Sequence, residues 1–522
     1  MKRGGAAAAA LVAATVFAGC TPDTENLAEA SRDKGAAAPP GAPAPPGYQQ
    51  GGGGTDRPSA RPTGPADFRS TVALDVDTAS YGYAARTLRD GARPAPRTVR
   101  TEEFVNSFPQ GYERPAGDGF SVSADGARTG EEGWSLLRVG LATKKSDPDA
   151  PRRPAALTFV LDVSGSMGGP GRLDLVKEAL EAAAGELRAS DSVSLVTFSG
   201  RAETVLPMTR LGDGGRARFQ DAVASLEAGS STDLGAGLRE GYRQAAEHRR
   251  AKATNRVVLM SDALANRGKT DADAILASVE RYREEQGISL FGVGVGSQYG
   301  DALMERLTNK GDGHTVYVST RRQARDVFVN QLPRNVELRA REAKAQVVFD
   351  RGAVEEFRLL GYEDRVVADE DFRDDTVDGG EIGPGHTVTA LYAVKVREGA
   401  EGRAATATVR WLGPDDRESH ETSRAVNTDA LTGGLVWTTG SAARSTGDGG
   451  KVSPYLRQAA VAAAFAGALR REGRGPADAA REFGAKRSLA ELHTEAVRLE
   501  KTSDLRSAAG LAANISRARK AG

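Results

Sequence analysis

The sequence predicts a doubly wound α/β domain in the middle of the chain, with a small module before it and a β-rich and then helical module after it. Between residues 151 and 332, short apolar runs alternate with amphipathic segments. Strands that are apolar on both faces and are separated by helices are typical of a parallel sheet covered on both sides. The expected architecture is therefore an open, mostly parallel sheet with helices on each face.

Each element of this central region follows from its hydrophobic periodicity. Leu173, Val176, Leu180, Ala183 and Leu187 recur at spacings of three and four, which places them on one face of a helix. The apolar runs at 157–161, 193–198, 257–260, 288–295 and 316–318 predict strands. The segments 232–248, 270–285, 301–308 and 321–331 predict further helices.

The flanking regions have different patterns. Residues 68–150 are expected to form a small module with a strand at 72–76 and helices at 80–90 and 101–108, and Asp75 and Asp77 are interpreted as turn residues rather than a carboxylate pair. Residues 333–445 alternate strands with Gly, Pro and Asp turns, which is typical of a β-sandwich. Residues 446–522 read as helical, with one helix at 455–471, another starting at Pro476, and a third behind a capping box formed by Ser488 and Glu491.

The first 67 residues are expected to lie outside the folded modules. Residues 1–20 combine a basic start with an apolar stretch from Ala6 to Ala18, which is typical of a secretory signal peptide. That stretch spans roughly 20 Å as a helix, too short for a bilayer core of roughly 30 Å. Residues 21–67 are rich in Pro and Gly and predict a disordered tether.

Cys20 is the only cysteine of the chain, so no intramolecular disulfide and no cysteine-based metal cluster can form. The run 17–20, Phe-Ala-Gly-Cys, resembles a bacterial lipobox, although Phe17 stands where Leu is usual. The resemblance implies a lipidated Cys20 that anchors the protein on the extracytoplasmic face of the cell membrane. The alternative is an ordinary signal peptide with an incidental cysteine. The 70 basic and 70 acidic side chains cancel, so no net charge favours a nucleic-acid partner.

Oxygen-bearing side chains follow two predicted strands and one intervening loop. Asp162, Ser164 and Ser166 come directly after strand 157–161, Thr232 precedes a helix, and Asp262 follows strand 257–260. In an open α/β sheet, ligands bind beyond the carboxyl ends of the strands. Two carboxylates and three hydroxyls suit Mg²⁺ best, with Mn²⁺ or Ca²⁺ possible, and the lack of His and Cys disfavours zinc.

These three segments resemble the metal-ion-dependent adhesion site of the von Willebrand factor type A family. The family implies a Rossmann-like fold, in which the two serines and the threonine can touch the metal and the aspartates act directly or through water. Ser261-Asp262-Ala263 replaces the family's common Thr-Asp-Gly, which leaves the chemistry intact. Residues 75–81 and 100–106 resemble the N-terminal region of bacterial lipoproteins with such a domain, and residues 380–392 resemble their C-terminal domain of unknown function.

The expected function is that of a membrane-anchored, extracytoplasmic lipoprotein that binds a protein partner through the metal. The partner would supply a carboxylate or another oxygen ligand. An enzyme is not expected, because no nucleophile with a partner, general base or phosphate cradle accompanies the site. Two alternatives remain open: a structural scaffold in which the metal only stabilises the fold, and a Mg²⁺-dependent hydrolase.

Overall fold

The computed structural model describes residues 67–74, 76–146, 153–262, 272–295, 301–309, 313–331, 338–377, 379–414, 416–438, 452–471 and 482–521. These residues all belong to one compact unit. The predicted signal peptide, Cys20, nearly all of the tether, Asp75 and the helix expected to begin at Pro476 lie outside the described residues. No helix in the described part of the chain is both long and apolar enough to cross a membrane.

The described chain starts with a strand, two helices and a hairpin. Their bounds are β1 (Arg69–Ala73), α1 (Ala79–Arg89), α2 (Thr101–Asn106), β2 (Phe120–Arg128) and β3 (Trp134–Thr143). The two helices lie where the periodicity predicts them. The sequence patterns described above do not predict the hairpin of β2 and β3.

A six-stranded sheet forms the centre of the molecule. Its strands are β4 (Ala155–Asp162), β5 (Ser192–Phe198), β6 (Ala202–Arg210), β7 (Thr254–Ser261), β8 (Ser289–Val295) and β9 (Thr315–Val318). They lie in the order β6-β5-β4-β7-β8-β9. All neighbours are parallel except the edge strand β6, which runs antiparallel to β5. The predicted mostly parallel, doubly wound sheet is therefore confirmed.

Helices cover both faces of this sheet. They are α3 (Leu173–Glu186), α4 (Gly215–Ala224), α5 (Leu234–Glu247), α6 (Ala272–Leu276), α7 (Glu280–Gln286), α8 (Asp301–Asn309) and α9 (Arg321–Arg325), the last continuing as wider helical turns to Gln331. Apolar side chains of α3, α4 and α9 share one buried cluster with one face of β4, and those of α5, α6 and α8 share another with its opposite face. The segment predicted as one helix at 270–285 forms two helices. We call residues 155–331 the central domain.

Two further sheets form a sandwich, and each contains strands from before and after the central domain. The C-terminal strands are β10 (Ala340–Phe349), β11 (Val354–Leu360), β12 (Val366–Val367), β13 (Gly380–Ile382), β14 (Thr387–Val396), β15 (Arg403–Leu412) and β16 (Ser419–Asn427). One sheet has the order β12-β1-β10-β15-β16, with β13 on β10, and the other has the order β11-β14-β3-β2. The segments predicted as an N-terminal module and a β-rich domain thus share both sheets. Pairing between strands more than 200 residues apart leaves no local pattern from which it could be predicted.

The last described helices are α10 (Thr428–Thr432), α11 (Pro454–Arg470), α12 (Leu489–Thr502) and α13 (Ser507–Lys520). Of these, α11 packs against α2 and α13 packs against α1. The α11 helix is buried along nearly its whole length, and its Phe465 ring lies 5.9 Å from that of Phe104 in α2. The predicted capping box before α12 is confirmed, since Ser488 and Glu491 bond each other's backbone N–H groups.

Buried polar contacts join the central domain to the sandwich at the starts of its strands. Arg256, near the start of β7, donates a 2.6 Å hydrogen bond from Nη2 to Oε2 of Glu381 in β13. The N–H of Thr315, the first residue of β9, donates to Oδ1 of Asp77 at 2.7 Å. Because a strand rises about 3.3 Å per residue, the carboxyl end of β7 lies roughly 17 Å from Arg256. The sandwich therefore docks at the edge opposite to the one that carries the predicted metal ligands.

Candidate metal centre

Asp162 is the last residue of β4, and its side chain is completely buried. Its Oδ1 accepts a hydrogen bond of 2.9 Å from the N–H of Ser164, and its Oδ2 accepts one of 2.6 Å from Oγ of Ser261. Ser261 ends the neighbouring strand β7, which runs parallel to β4. Two adjacent strand ends therefore hold one carboxylate in a single orientation.

The two serines of the first loop lie side by side. The Oγ atoms of Ser164 and Ser166 are 2.9 Å apart, and Ser164 directly precedes the single tight helical turn at Gly165–Gly168. Ser164 is buried, whereas Ser166 is partly exposed. The pair thus extends from the buried carboxylate of Asp162 towards the solvent, as a binding site at a sheet edge requires.

The loop that carries Thr232 lies against this first loop. The N–H of Gly229 donates to the carbonyl oxygen of Val163, and a Cβ at Gly165 would lie 3.2 Å from the carbonyl oxygen of Ser230. Directly after Thr232, the N–H of Asp233 donates to the carbonyl oxygen of Ser199 at 2.6 Å. Oδ1 of Asp233 caps α5 by accepting from the N–H of Ala236 at 2.9 Å. The buried Thr232 is therefore held between two anchored positions.

Asp262 directly follows β7, and its side chain is completely buried as well. Its Oδ2 lies 3.6 Å from Nη1 of Arg172, and the same nitrogen donates to the carbonyl oxygen of Ser166. The structure thus links Asp162, Ser164 and Ser166 by hydrogen bonds, connects Asp262 to them through Arg172, and brings the Thr232 loop alongside.

Burial shapes the electrostatics of this edge. Desolvation raises the pKa of the Asp162 carboxyl above its usual range, and the negative charge of Asp262 acts in the same direction. Hydrogen bonds from Ser164 and Ser261 oppose the rise. A buried carboxylate is costly unless a positive group compensates it, so two of them favour a cation at this position.

The donor set fits a hard divalent cation. Two carboxylates and three hydroxyls provide only oxygen ligands, which suit Mg²⁺, Mn²⁺ or Ca²⁺. Over the described ranges, no group of three or more His, Cys, Asp or Glu side chains could hold a metal. A cation bound here would therefore depend on the hydroxyl ligands as much as on the aspartates.

Two residues of the site escaped the sequence reasoning. In the sequence Arg172 is only the first residue of the helix predicted at 172–190, and no local pattern indicates that its side chain turns back over the 165–169 loop. Ser261 counted only as a replacement for a family threonine. Its position as the last residue of β7, beside Asp162 at the end of β4, is the signal that could have indicated its contact.

Comparison with known families identifies the class of protein that this fold and site define. Residues 156–330 match the von Willebrand factor type A domain, residues 337–434 match the C-terminal domain of the uncharacterized protein YfbK, and residues 63–134 match a model described as von Willebrand factor. Residues 156–330 of this bacterial protein are therefore a von Willebrand factor type A domain.

The chain is also similar to individual proteins. Over 381 residues the chain is 32% identical to the uncharacterized protein YfbK of Escherichia coli, a match that covers 67% of this chain and 65% of the relative. It is 27% identical over 192 residues to the uncharacterized protein sll0103 of Synechocystis, covering 37% of this chain and 44% of that one. The matches thus span less than two thirds of either relative. A solved von Willebrand factor type A protein from Catenulispora acidiphila aligns with a TM-score of 0.45 at 17% identity, over 75% of this chain and 91% of that one.

Proposed function

We propose that this protein is an extracytoplasmic, lipid-anchored binding protein that captures a protein partner through a divalent cation at the carboxyl edge of its central sheet. The observation that carries the proposal is the pair of buried carboxylates, Asp162 and Asp262, beside the partly exposed hydroxyl of Ser166. Buried charge at the edge of an open α/β sheet is typical of a ligand site.

Five side chains would hold the cation: Asp162, Ser164, Ser166, Thr232 and Asp262. When bound, Mg²⁺ would supply a Lewis-acidic centre whose remaining positions are open to water or to an oxygen of the partner. Three of the five ligands are neutral and only two carry charge, so the protein ligands do not give the bound cation a net negative surrounding. An acidic side chain of the partner is the ligand that this arrangement favours.

Binding fits the site better than catalysis does. Asp233, which follows Thr232 in the chain, is an acidic candidate for a general base, yet its Oδ1 already accepts the capping hydrogen bond from the N–H of Ala236 at 2.9 Å. A hydrolase would need a base within hydrogen-bond reach of an attacking group. The proposal is therefore a binding protein, with a purely structural role of the metal as the alternative that the experiment must separate.

The decisive experiment measures metal binding and partner capture with the same variants. Isothermal titration of the purified full chain with Mn²⁺ or Mg²⁺ should show one site, which Asp162→Asn and Asp262→Asn weaken at least about a hundredfold, as expected for the loss of a charged ligand. Asp221→Asn, at an exposed position of α4, is the matched control and should bind as the unaltered chain does.

Partner capture is then tested on membranes by cross-linking with Mg²⁺ or with EDTA. Capture that is lost with EDTA and in Asp162→Asn, while circular dichroism stays unchanged, supports the proposal. Unfolding on chelation would favour the scaffold instead. Absence of Mg²⁺ and Mn²⁺ binding at millimolar concentrations would overturn the metal-dependent function.

A further inference from the structure

An arginine side chain reaches into the candidate metal centre. Nη1 of Arg172 lies 3.6 Å from Oδ2 of Asp262 and also donates to the carbonyl oxygen of Ser166. The Arg172 side chain is only 15% exposed, and that of Asp262 is not exposed at all. The guanidinium therefore contacts two of the five residues proposed to hold the cation, from within the site.

The backbone of Arg172 is fixed by the start of α3. Its N–H donates to Oδ1 of Asp174 at 2.8 Å, and its carbonyl oxygen accepts from the N–H of Val176 at 2.9 Å. The side chain passes over the first loop, where a Cβ at Gly169 would lie 3.7 Å from Nε of Arg172. The backbone thus fixes where the side chain begins, and the guanidinium itself is held by the carbonyl oxygen of Ser166 and the carboxylate of Asp262.

The formal charges of Asp162, Asp262 and Arg172 determine which further ligand the metal-bound centre favours. Asp162 and Asp262 contribute two negative charges, and Arg172 contributes one positive charge. With a divalent cation these three side chains carry one net positive charge, whereas the two aspartates and the cation alone would be neutral. A single carboxylate from outside restores neutrality only when the arginine is present.

We propose that Arg172 opposes the metal and thereby makes its binding depend on an anionic ligand; this inference rests on the proposed metal-dependent function. The cation alone binds weakly, because it shares a poorly solvated site with a like charge. A carboxylate offsets this repulsion, so metal and carboxylate strengthen each other's binding. By linkage, the factor by which the anion improves metal affinity equals the factor by which the metal improves anion affinity.

The experiment titrates the full chain with Mn²⁺ alone and with Mn²⁺ in the presence of acetate, using chloride at matched ionic strength as the reference condition. Isothermal titration and Mn²⁺ electron paramagnetic resonance measure the affinity. The variants are Arg172→Gln, which removes the charge, and Arg172→Lys, which keeps it. Arg218→Gln, at an exposed position of α4, is the matched control.

We expect Arg172→Gln to bind Mn²⁺ alone at least about tenfold more tightly than the unaltered chain, since like-charge repulsion within a partly buried site is of that order or larger. Acetate should tighten Mn²⁺ binding by the unaltered chain and by Arg172→Lys. It should have little effect on Arg172→Gln. Arg218→Gln should match the unaltered chain in both titrations.

Other outcomes separate the two claims. Equal or weaker Mn²⁺ binding by a folded Arg172→Gln would overturn the role of Arg172 and leave the metal-dependent function standing. If Arg172→Gln does not fold, Arg172→Lys provides the test. Tight Mn²⁺ binding by Arg172→Lys that does not respond to acetate would contradict the charge argument. An unaltered chain that binds Mn²⁺ without any response to acetate also overturns the inference. Failure of every variant to bind Mn²⁺ would overturn the proposed function itself.

Discussion

Ser261 and Asp162 join two neighbouring strand ends of the central sheet, since Oγ of Ser261 donates a 2.6 Å hydrogen bond to Oδ2 of Asp162. Both side chains are completely buried. The N–H of Ser164 holds the other carboxylate oxygen at 2.9 Å. Asp162 is therefore oriented before any ligand arrives, which reduces the entropy that binding must overcome.

Replacing Ser261 tests this orientation. Ser261→Ala should weaken Mn²⁺ binding by about 10–100-fold, the usual effect of losing a group that orients a metal ligand. Ser261→Thr keeps the hydroxyl and should restore affinity to near that of the unaltered chain. Isothermal titration measures both. Unchanged affinity in Ser261→Ala would show that Asp162 is not positioned by this contact.

Breaking the buried pair of Arg256 and Glu381 between the central domain and the sandwich should cost more stability than removing both of these residues. Glu381 also pairs with Arg341, which is 25% exposed and can be hydrated when Glu381 is replaced. Arg256 is not exposed, and it bonds Oγ of Ser289 at 3.0 Å as well as Glu381 at 2.6 Å. Glu381→Gln leaves a buried charge without its counter-ion, so we expect a loss of about 3–5 kcal/mol in the free energy of unfolding. Urea denaturation should show a smaller loss for Arg256→Met combined with Glu381→Leu. Equal losses in the single and double variants would contradict this account.

Two helical glycines of the central domain should respond in opposite directions to alanine. A Cβ at Gly241 in α5 would lie 2.2 Å from Cγ2 of Val160 in β4, so Gly241→Ala should destabilise the domain by about 1–3 kcal/mol through overpacking. Gly185 in α3 has open space around its Cβ position, and Gly185→Ala should stabilise by about 0.5–1 kcal/mol. Thermal unfolding measures both changes. A neutral Gly241→Ala would mean that α5 can move away from the sheet at little cost.

Glu240 should contribute stability that depends on pH. Hydrogen bonds from Arg243, together with that from Thr204 at 2.5 Å, lower the pKa of the Glu240 carboxyl to about 2 despite its partial burial. Since the folded-state pKa lies below the ordinary glutamate pKa of 4.5, the stabilisation is present above pH 4.5 and is lost as the pH falls towards 2.

The matching variant is Glu240→Gln. Because the site is only partly buried, the expected loss at pH 7 is about 1 kcal/mol in the free energy of unfolding. The difference from the unaltered chain should shrink between pH 4.5 and pH 2 in urea titrations. Glu203→Gln removes an exposed pair with Arg201 at 3.8 Å and should change stability by less than about 0.5 kcal/mol. A loss in Glu240→Gln that is the same at all pH values would rule out the ionised pair as its source.

Cys20 should decide where the protein is retained. Expressed in bacteria, the unaltered chain should fractionate with membranes and incorporate labelled palmitate, because two or more acyl chains give stable anchoring. Cys20→Ser should lose the label and appear in the soluble extracytoplasmic fraction, whereas Ser31→Ala in the predicted tether should behave like the unaltered chain. Membrane retention of Cys20→Ser at the original level would exclude lipidation as the anchor.

The candidate site was predictable from the sequence because its elements are local. An apolar run that ends in Asp162, and another that ends just before Asp262, place both carboxylates after parallel strands, and the carboxyl ends of such strands meet at one edge. The contribution of Arg172 was not predictable in this way. Its contact with Asp262 spans 90 positions and depends on the path of one long side chain over the first loop.

The sequence by itself determined the elements of this protein: the alternation of strands and helices in the central domain, the capping box of Ser488 and Glu491, and the order of the candidate metal ligands. Only the tertiary structure decided that β1 pairs with β10 and β3 with β14, and that Asp77 bonds the N–H of Thr315. Hydrophobic periodicity and helix capping depend on residues a few positions apart, so they can be recognised in the sequence. Strand pairing and buried ion pairs join distant segments, and they are selected by how the whole core packs.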